Sequence, residues 1–145
     1  MAGSISIHCA TAEETMAFAR EFSSRLRPND VLCFFGDLGS GKTTFIKGLV
    51  EGASGYSADA VGSPTFTYLN IYTGPRQVVF HFDLYRLRDV DEFLSMGFDE
   101  YMNAGGICCI EWSERIAELL PAHYIRVLMS LSDEGGRKIE IVDDE

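Results

Sequence analysis

The sequence has no uninterrupted run of about 18 apolar residues, which a transmembrane helix would need. Its first twelve residues lack a basic stretch followed by an apolar one, so no secretory signal is predicted and a cytoplasmic location is expected. Basic residues are scarce, 12 against 22 acidic ones, and the net charge of the 145-residue chain is −10. Because phosphate groups would repel such a chain, stand-alone binding of nucleic acid is disfavoured, as is binding to an anionic membrane surface.

The four cysteines, Cys9, Cys33, Cys108 and Cys109, include no CxxC pair. Zinc ligands usually come in such closely spaced pairs, so a zinc site is not expected. Three of the four lie in apolar strand-like runs, which predicts reduced thiols in the core. Leu, Ile, Val and Phe make up more than a quarter of the residues, above the share of about 20% below which disorder is expected. We therefore predict one folded domain over residues 1–145.

Apolar patterning predicts strands that alternate with helices. A capping box at Thr11 and Glu14 indicates the start of the first helix. Further helices are predicted over 43–50, within 89–102 and over 113–120, the last one capped by Ser113. Strands are predicted over 4–9, 31–35, 67–72, 77–83, 106–111, 124–131 and 137–142. The Gly-, Ser- and Ala-rich stretch 53–62 is interpreted as a mobile loop and the acidic end 143–145 as a solvated tail. The fold class is α/β, with a mixed sheet.

Residues 36–43 read GDLGSGKT and fit the pattern GxxxxGK[ST] at every fixed position. This stretch directly follows a buried apolar strand and directly precedes a helix, which is the arrangement that a phosphate-binding loop (P-loop) requires. Its glycines tolerate positive φ and let backbone N–H groups point toward phosphate oxygens. Lys42 would supply charge for the β- and γ-phosphates, and Thr43 would offer a hydroxyl to Mg²⁺. The sequence thus predicts a P-loop NTPase-like mixed β-sheet with helices on both faces.

A P-loop protein also needs a carboxylate at the end of a neighbouring strand, beside the metal. Glu111 ends the apolar strand 107–110 and is the best candidate, although aspartate is more usual there. It could reach the metal through water or orient the attacking water. Asp83 closes another strand and could lie near the γ-phosphate. Each carboxylate has a plainer alternative, as a helix cap or, for Asp83, in an ion pair.

Several other side chains have two open interpretations. A hydroxyl of Ser63-Pro64-Thr65 could bind Mg²⁺ or the γ-phosphate, as switch threonines do, but the spacing alone also fits an ordinary turn. Trp112 could pack in the core or stack near the nucleotide. Arg86 could pair with Asp83 or contact phosphate. His8, His81 and His123 form no visible triad with a nucleophile and are predicted to be packing or surface residues.

Four segments together resemble the TsaE family of bacterial P-loop ATPases, which take part in making threonylcarbamoyladenosine in tRNA. They are GDLGSGKTT at 36–44, SPTF at 63–66, HFDLYRL at 81–87 and IEWSER at 110–115. Their order and spacing agree with the family from about residue 8 to residue 142. The P-loop is shared by a vast superfamily, whereas the other three segments together are much more specific. Ser113 stands where many members have proline, which should matter little because serine also starts a helix well.

The resemblance implies a Mg²⁺-dependent ATPase that acts with two companion subunits, TsaB and TsaD, and contacts tRNA only through that complex. TsaD would transfer the threonylcarbamoyl group to adenosine at position 37, while the ATP cycle would reset or drive the assembly. Lys42, Asp83 and Glu111 would be catalytic, Thr43, Asp83 and Glu111 would be the metal ligands, and Thr65 would be the switch residue. The implied nucleotide-binding residues are Gly36, Asp37, Leu38, Gly39, Ser40, Gly41, Lys42, Thr43, Thr44, Thr65 and Trp112.

Three other functions fit parts of the pattern. A small-molecule or nucleotide kinase would share the P-loop, Mg²⁺ and a mobile loop, but arginines are few and the chain leaves little room for a lid. A GTPase switch would need the guanine-reading pattern NKxD, which is absent; the DxxG string at 133–136 lies in a predicted hairpin turn. An adaptor that binds ATP and rarely hydrolyses it differs from the ATPase only in its turnover.

Overall fold

The computed structural model describes residues 3–37 and 39–143, and these form one seven-stranded mixed sheet in the order β1-β7-β6-β2-β5-β4-β3. The strands are β1 Gly3–Cys9, β2 Val31–Phe35, β3 Leu69–Tyr72, β4 Val79–Asp83, β5 Ile107–Glu111, β6 Ile125–Leu131 and β7 Arg137–Asp143. The α-helices are α1 Ala12–Phe22, α2 Lys42–Ser54 and α3 Val90–Ser95. Short 3-10 helices span Ser23–Arg25, Ala58–Ala60, Phe98–Asn103 and Ser113–Leu119. Within the described ranges, no helix is long and apolar enough to cross a membrane.

The middle of the sheet is parallel. Strand β2 lies between β5 and β6 and runs parallel to both, and β4 runs parallel to β5. The edge strands β1 and β3 are antiparallel to their neighbours, and β7 is antiparallel to both β1 and β6. Because parallel strands end at the same edge of a sheet, the segments that follow β2, β4 and β5 emerge together, where ligands of open α/β sheets usually bind.

Helices cover both faces of the sheet, as predicted. Leu32 and Phe34 of β2 pack with α1 and α2 in one core, whereas Val31 and Cys33 pack with α3 and the neighbouring 3-10 helices in the other. Burial on both faces explains why β2 is apolar without alternation.

Helix α1 begins at the predicted capping box. The Thr11 side chain accepts a hydrogen bond from the Glu14 N–H, and the Glu14 carboxylate accepts from the Thr11 N–H. Helix α1 then packs closely on α2. A Cβ atom built on Gly48 of α2 would lie only 2.3 Å from the Met16 carbonyl oxygen of α1. The missing side chain therefore allows the helix that follows the P-loop to approach α1 closely.

The interpretation of residues 53–62 as one loop is wrong at its start. Ala53 and Ser54 form the last turn of α2, and Gly55 ends the helix in the left-handed conformation, with φ of 83°. A 3-10 turn then follows at Ala58–Ala60. Glycine lowers helix propensity, so the glycines within α2 made a shorter helix the natural prediction.

Two predictions near the end of the chain are also wrong. Ser113 does not cap the helix that follows β5, because Trp112 occupies the N-cap position and no side chain caps that end. Asp143 is not in a solvated tail, because it is the last residue of β7 and accepts a hydrogen bond from His123. The rest of the predicted tail, 144–145, lies outside the described residues.

All four cysteines are free and buried, which confirms the prediction of core thiols. Burial raises the pKa of the Cys33 thiol to about 11 and that of the Cys108 thiol to about 12. Burial also raises the pKa of Cys9 and of Cys109.

Candidate functional site

The P-loop joins β2 to α2 through three glycines with positive φ. The φ angles of Gly36, Gly39 and Gly41 are 153°, 85° and 98°. Gly36 also lies against β6, where an added Cβ atom would meet the Met129 carbonyl oxygen at 2.4 Å. Gly41 is the N-cap of α2 and offers no side chain to the first N–H groups of the helix. A loop of this shape presents backbone donors to an anion. Leu38, one of the predicted binding residues, lies outside the described residues.

The Lys42 ammonium group lies inside this loop. Its Nζ atom donates a hydrogen bond of 2.8 Å to the Gly36 carbonyl oxygen. The same atom is 4.0 Å from Oε1 of Glu111 and 5.7 Å from the centre of the Trp112 ring. The lysine side chain is 12% exposed. The positive charge of Lys42 therefore lies within the P-loop and faces the end of β5.

The two predicted carboxylates lie side by side. Asp83 and Glu111 are register partners at the ends of the parallel strands β4 and β5, and such strands are about 4.8 Å apart. Strand alternation places both side chains on the face that α2 covers, and both residues are buried. The structure therefore brings Lys42, Asp83 and Glu111 together, whereas their catalytic roles stay predictions.

Asp83 binds the segment that contains the predicted switch residue. Its Oδ2 atom accepts hydrogen bonds from Ser63 Oγ at 3.1 Å and from Thr65 Oγ1 at 2.9 Å. Its Oδ1 atom accepts from the Tyr85 N–H at 3.1 Å. The segment Ser63-Pro64-Thr65 is therefore more than an ordinary turn, because both of its hydroxyl groups donate hydrogen bonds to the Asp83 carboxylate. No pattern in the sequence singled out Ser63 from its neighbours.

Glu111 has a buried partner that the sequence reasoning missed. The His81 side chain is fully buried, and its Nε2 atom lies 2.8 Å from Oε2 of Glu111. The His81 Nδ1 atom is buried and has no hydrogen-bond partner. A neutral ring with its proton on Nε2 donates to Glu111 and leaves no buried N–H group unpaired. The available signal was the alternation of β4, which puts His81 and Asp83 on one face.

Trp112 lies beside the P-loop and not in the core. It has a φ of 62°, a conformation that is rare for a bulky residue and often marks a functional site. It is 37% exposed, and its ring packs on Tyr85 with the ring centres 5.0 Å apart.

The Arg86 guanidinium lies over the Phe66 ring, and no ion pair between Arg86 and Asp83 is found in the described part of the chain.

The donor set suits a hard cation that also binds phosphate. No group of three His, Cys, Asp or Glu side chains among residues 3–37 and 39–143 could hold a metal ion by itself. Mg²⁺ is usually bound through one or two carboxylates, with water and substrate phosphates completing its shell. Asp83 and Glu111 supply two such carboxylates, and Thr43 in the first turn of α2 carries a hydroxyl oxygen. The buried Ser40 hydroxyl of the P-loop also has no hydrogen-bond partner, as expected of a loop that binds a polar ligand.

Comparison with known proteins shows the family to which the chain is similar. Residues 9–139 match the family model of threonylcarbamoyl adenosine biosynthesis protein TsaE. The tRNA threonylcarbamoyladenosine biosynthesis protein TsaE of Rickettsia prowazekii is 38% identical over 129 residues, which cover 89% of this chain and 88% of the relative. The protein of the same name from Bacillus subtilis is 39% identical over 127 residues, which cover 88% of this chain and 78% of the relative.

A solved structure agrees as well. The crystal structure of Bacillus subtilis YdiB superposes with a TM-score of 0.80 at 30% sequence identity and covers 100% of this chain and 88% of that chain. The family match thus extends over nearly the whole chain and includes the P-loop, Asp83 and Glu111. The chain therefore belongs to the TsaE family of threonylcarbamoyl adenosine biosynthesis proteins.

Proposed function

We propose that this protein is a Mg²⁺-dependent ATPase that serves tRNA threonylcarbamoyladenosine biosynthesis. Family membership supports the pathway. The observation that carries the ATPase activity is the pairing of Asp83 with Glu111 at the ends of β4 and β5, with Lys42 Nζ 4.0 Å from Glu111. Phosphoryl transfer in P-loop proteins uses such a loop, its lysine and nearby carboxylates.

ATP would bind with its β- and γ-phosphates in the P-loop. The backbone N–H groups at the start of α2 would donate to phosphate oxygens. Lys42 would exchange its hydrogen bond with the Gly36 carbonyl oxygen for contacts with these phosphates. Because a carbonyl oxygen is neutral and a phosphate oxygen is charged, the exchange strengthens the hydrogen bond.

Thr43, Asp83 and Glu111 would hold Mg²⁺. The bound cation would neutralise charge on the β- and γ-phosphate oxygens. The hydrogen bonds from Ser63 and Thr65 would orient Asp83.

In the hydrolysis step a water oxygen attacks the γ-phosphorus, and the bond from that phosphorus to the β–γ bridging oxygen breaks. The products are ADP and inorganic phosphate, with one proton released to solvent. Glu111 would orient the attacking water. His81 would hold Oε2 of Glu111 and leave Oε1, the atom nearer to Lys42, facing the site.

The pathway context suggests protein partners. We propose that the chain acts with TsaB and TsaD in the cytoplasm and contacts tRNA only through that complex. The net charge of −10 favours docking on protein over direct binding of tRNA.

The test is ATP hydrolysis by the purified chain, alone and with the TsaB–TsaD pair, with GTP, Mg²⁺-free and Lys42→Ala controls. Slow hydrolysis that rises with the companions and needs Mg²⁺ and Lys42 is the expected result. Absence of hydrolysis under every condition would contradict the proposal. Transfer of phosphate to an added small-molecule or nucleotide acceptor would favour a kinase instead.

A further inference from the structure

One short segment carries the hydroxyl groups that reach Asp83. This switch segment comprises residues 62–66. Its Ser63 and Thr65 side chains donate hydrogen bonds to the Asp83 carboxylate at 3.1 and 2.9 Å. Three of its five residues are exposed and only Pro64 is buried, so core packing contributes little to its position. The placement of both hydroxyl groups at Asp83 therefore depends on how the two ends of the segment are held.

Backbone hydrogen bonds hold the far end of the switch segment. The Tyr68 N–H donates to the Pro64 carbonyl oxygen at 2.7 Å, and the Tyr68 carbonyl oxygen accepts from the Asp83 N–H at 2.9 Å. Strand β3 follows directly. Gly62, at the near end, belongs to no helix or strand, and its backbone groups bond to side chains instead. The near end therefore takes its position from those side chains.

The Tyr72 hydroxyl group holds the near end. It accepts a hydrogen bond from the Gly62 N–H at 3.3 Å and donates one to the Gly62 carbonyl oxygen at 3.2 Å. It also accepts a hydrogen bond of 3.0 Å from Asn70 Nδ2, and the same Nδ2 atom donates to the Gly62 carbonyl oxygen at 3.4 Å. A hydroxyl group has one proton to donate and two lone pairs to accept with, so Gly62 and Asn70 use its full capacity.

The Tyr72 side chain has a fixed place in the fold. Tyr72 is the last residue of β3, is 4% exposed and packs in the core formed with α1 and α2. Its ring centre lies 5.3 Å from that of Tyr56. Strand β3 pairs with β4, which ends at Asp83. The hydroxyl group that holds Gly62 and the carboxylate that the segment reaches therefore belong to the same pair of strands.

The bonds to Gly62 do more than satisfy polar groups. Gly62 is exposed, so water could bond to its N–H and carbonyl groups if the Tyr72 hydroxyl were removed. What the hydroxyl group supplies is a fixed position for the residue that directly precedes Ser63. We infer that Tyr72 is a positioning residue for the ATPase reaction. Its hydroxyl group fixes Gly62 and thereby keeps the two hydroxyl groups of the switch segment at Asp83. The inference rests on the proposed function and adds to it a residue that acts on the site through this segment.

The experiment compares Tyr72→Phe with Tyr56→Phe in ATP turnover and ADP affinity. Tyr56 is the matched control, because its ring packs on Tyr72 and its hydroxyl group forms no hydrogen bond within the described part of the chain. We expect Tyr72→Phe to lower kcat about 2- to 10-fold, the range for the loss of one hydrogen bond. The KM for ATP and the affinity for ADP should stay as in the wild type, because the P-loop is unchanged. Tyr56→Phe should behave as the wild type in all three.

A double-mutant cycle distinguishes positioning from a general structural role. Tyr72→Phe is added to the wild type and to a variant that carries Ser63→Ala and Thr65→Val. If Tyr72 acts through these hydroxyl groups, its loss should lower turnover in the first background and have no further effect in the second. Equal fold-losses in both backgrounds would overturn the inference, because Tyr72 would then affect turnover without the switch hydroxyl groups.

Amide hydrogen exchange tests the same bonds without ATP. Followed by mass spectrometry, exchange in residues 62–66 should be faster in Tyr72→Phe and unchanged in Tyr56→Phe. Asn70→Ala removes the Nδ2 donor, should give the same two effects more weakly, and decides the question if Tyr72→Phe does not fold. Wild-type exchange of this segment, or wild-type turnover, in the folded variants would overturn the inference. A wild-type chain that hydrolyses no ATP would instead refute the proposed function, and the exchange result would still decide whether Tyr72 holds the segment.

Discussion

The buried pair of His81 and Glu111 makes a quantitative prediction about stability. Their side chains are 0% and 8% exposed, and 2.8 Å separates Nε2 from Oε2. A hydrogen bond to a charged group contributes about 1.5–3 kcal/mol to the free energy of unfolding. His81→Leu removes the donor with a modest change of volume and leaves the Glu111 carboxylate in an ion pair with Lys42 Nζ, 4.0 Å away.

A double-mutant cycle isolates this contribution. The free energy of unfolding is measured in urea for the wild type, His81→Leu, Glu111→Leu and the double variant. We expect each single variant to lose stability and the double variant to recover part of it, with a coupling of about 1.5–3 kcal/mol. Recovery is expected because replacing both partners by apolar groups leaves no buried polar atom unpaired.

The chain supplies its own control pair. His123 and Asp143 form the same type of contact at the surface, with side chains 42% and 32% exposed. The same cycle on this pair should give about 0–1 kcal/mol, the usual range for exposed ion pairs. A coupling for His81 and Glu111 that does not exceed the surface value would refute the reasoning.

Three further predictions follow from other parts of the structure. Gly48→Ala should lower the melting temperature although alanine favours helices, because its Cβ would lie 2.3 Å from a backbone carbonyl oxygen of α1; thermal denaturation measures this. Burial raises the thiol pKa values of Cys33 and Cys108 from 9.0 to about 11 and about 12, so the folded state keeps these protons while the unfolded state loses them. The free energy of unfolding should therefore fall as the pH rises from about 9 toward 12, and fall less steeply in the Cys33→Ala, Cys108→Ala double variant, as urea titrations at successive pH values would measure. Thr65→Val should lower ATP turnover more than ADP affinity, because it removes a hydrogen bond to Asp83, whereas Thr67→Val at a nearby exposed position should leave turnover unchanged.

Local sequence signals predicted the parts of the site that depend on neighbouring residues. The GxxxxGK[ST] pattern specifies a glycine-rich loop between a strand and a helix, and residues 36–43 lie in that context. The carboxylates at 83 and 111 could each be assigned to the end of a strand, because an apolar run precedes each of them. These inferences need only the order of residues along the chain and the geometry of one element.

Contacts between elements could not be predicted in the same way. The pairing of Asp83 with Glu111 depends on which strands become neighbours and in what register, and no local pattern specifies either. The bond between His81 and Glu111 follows from that register, so His81 looked like an ordinary core histidine. The length of α2 was missed for a similar reason, because Gly52 disfavours a helix locally but permits close packing against the Arg20 backbone of α1.

The most direct test of the central claim compares ADP affinity with ATP turnover in Lys42→Ala, Asp83→Ala and Glu111→Ala. We expect Lys42→Ala to weaken nucleotide binding sharply, because its ammonium group is the cation that lies inside the loop. The carboxylate variants should keep most of their ADP affinity and lose about 100-fold or more in turnover, the usual effect of removing a group that acts on the transition state. Wild-type turnover in both Asp83→Ala and Glu111→Ala would contradict the account.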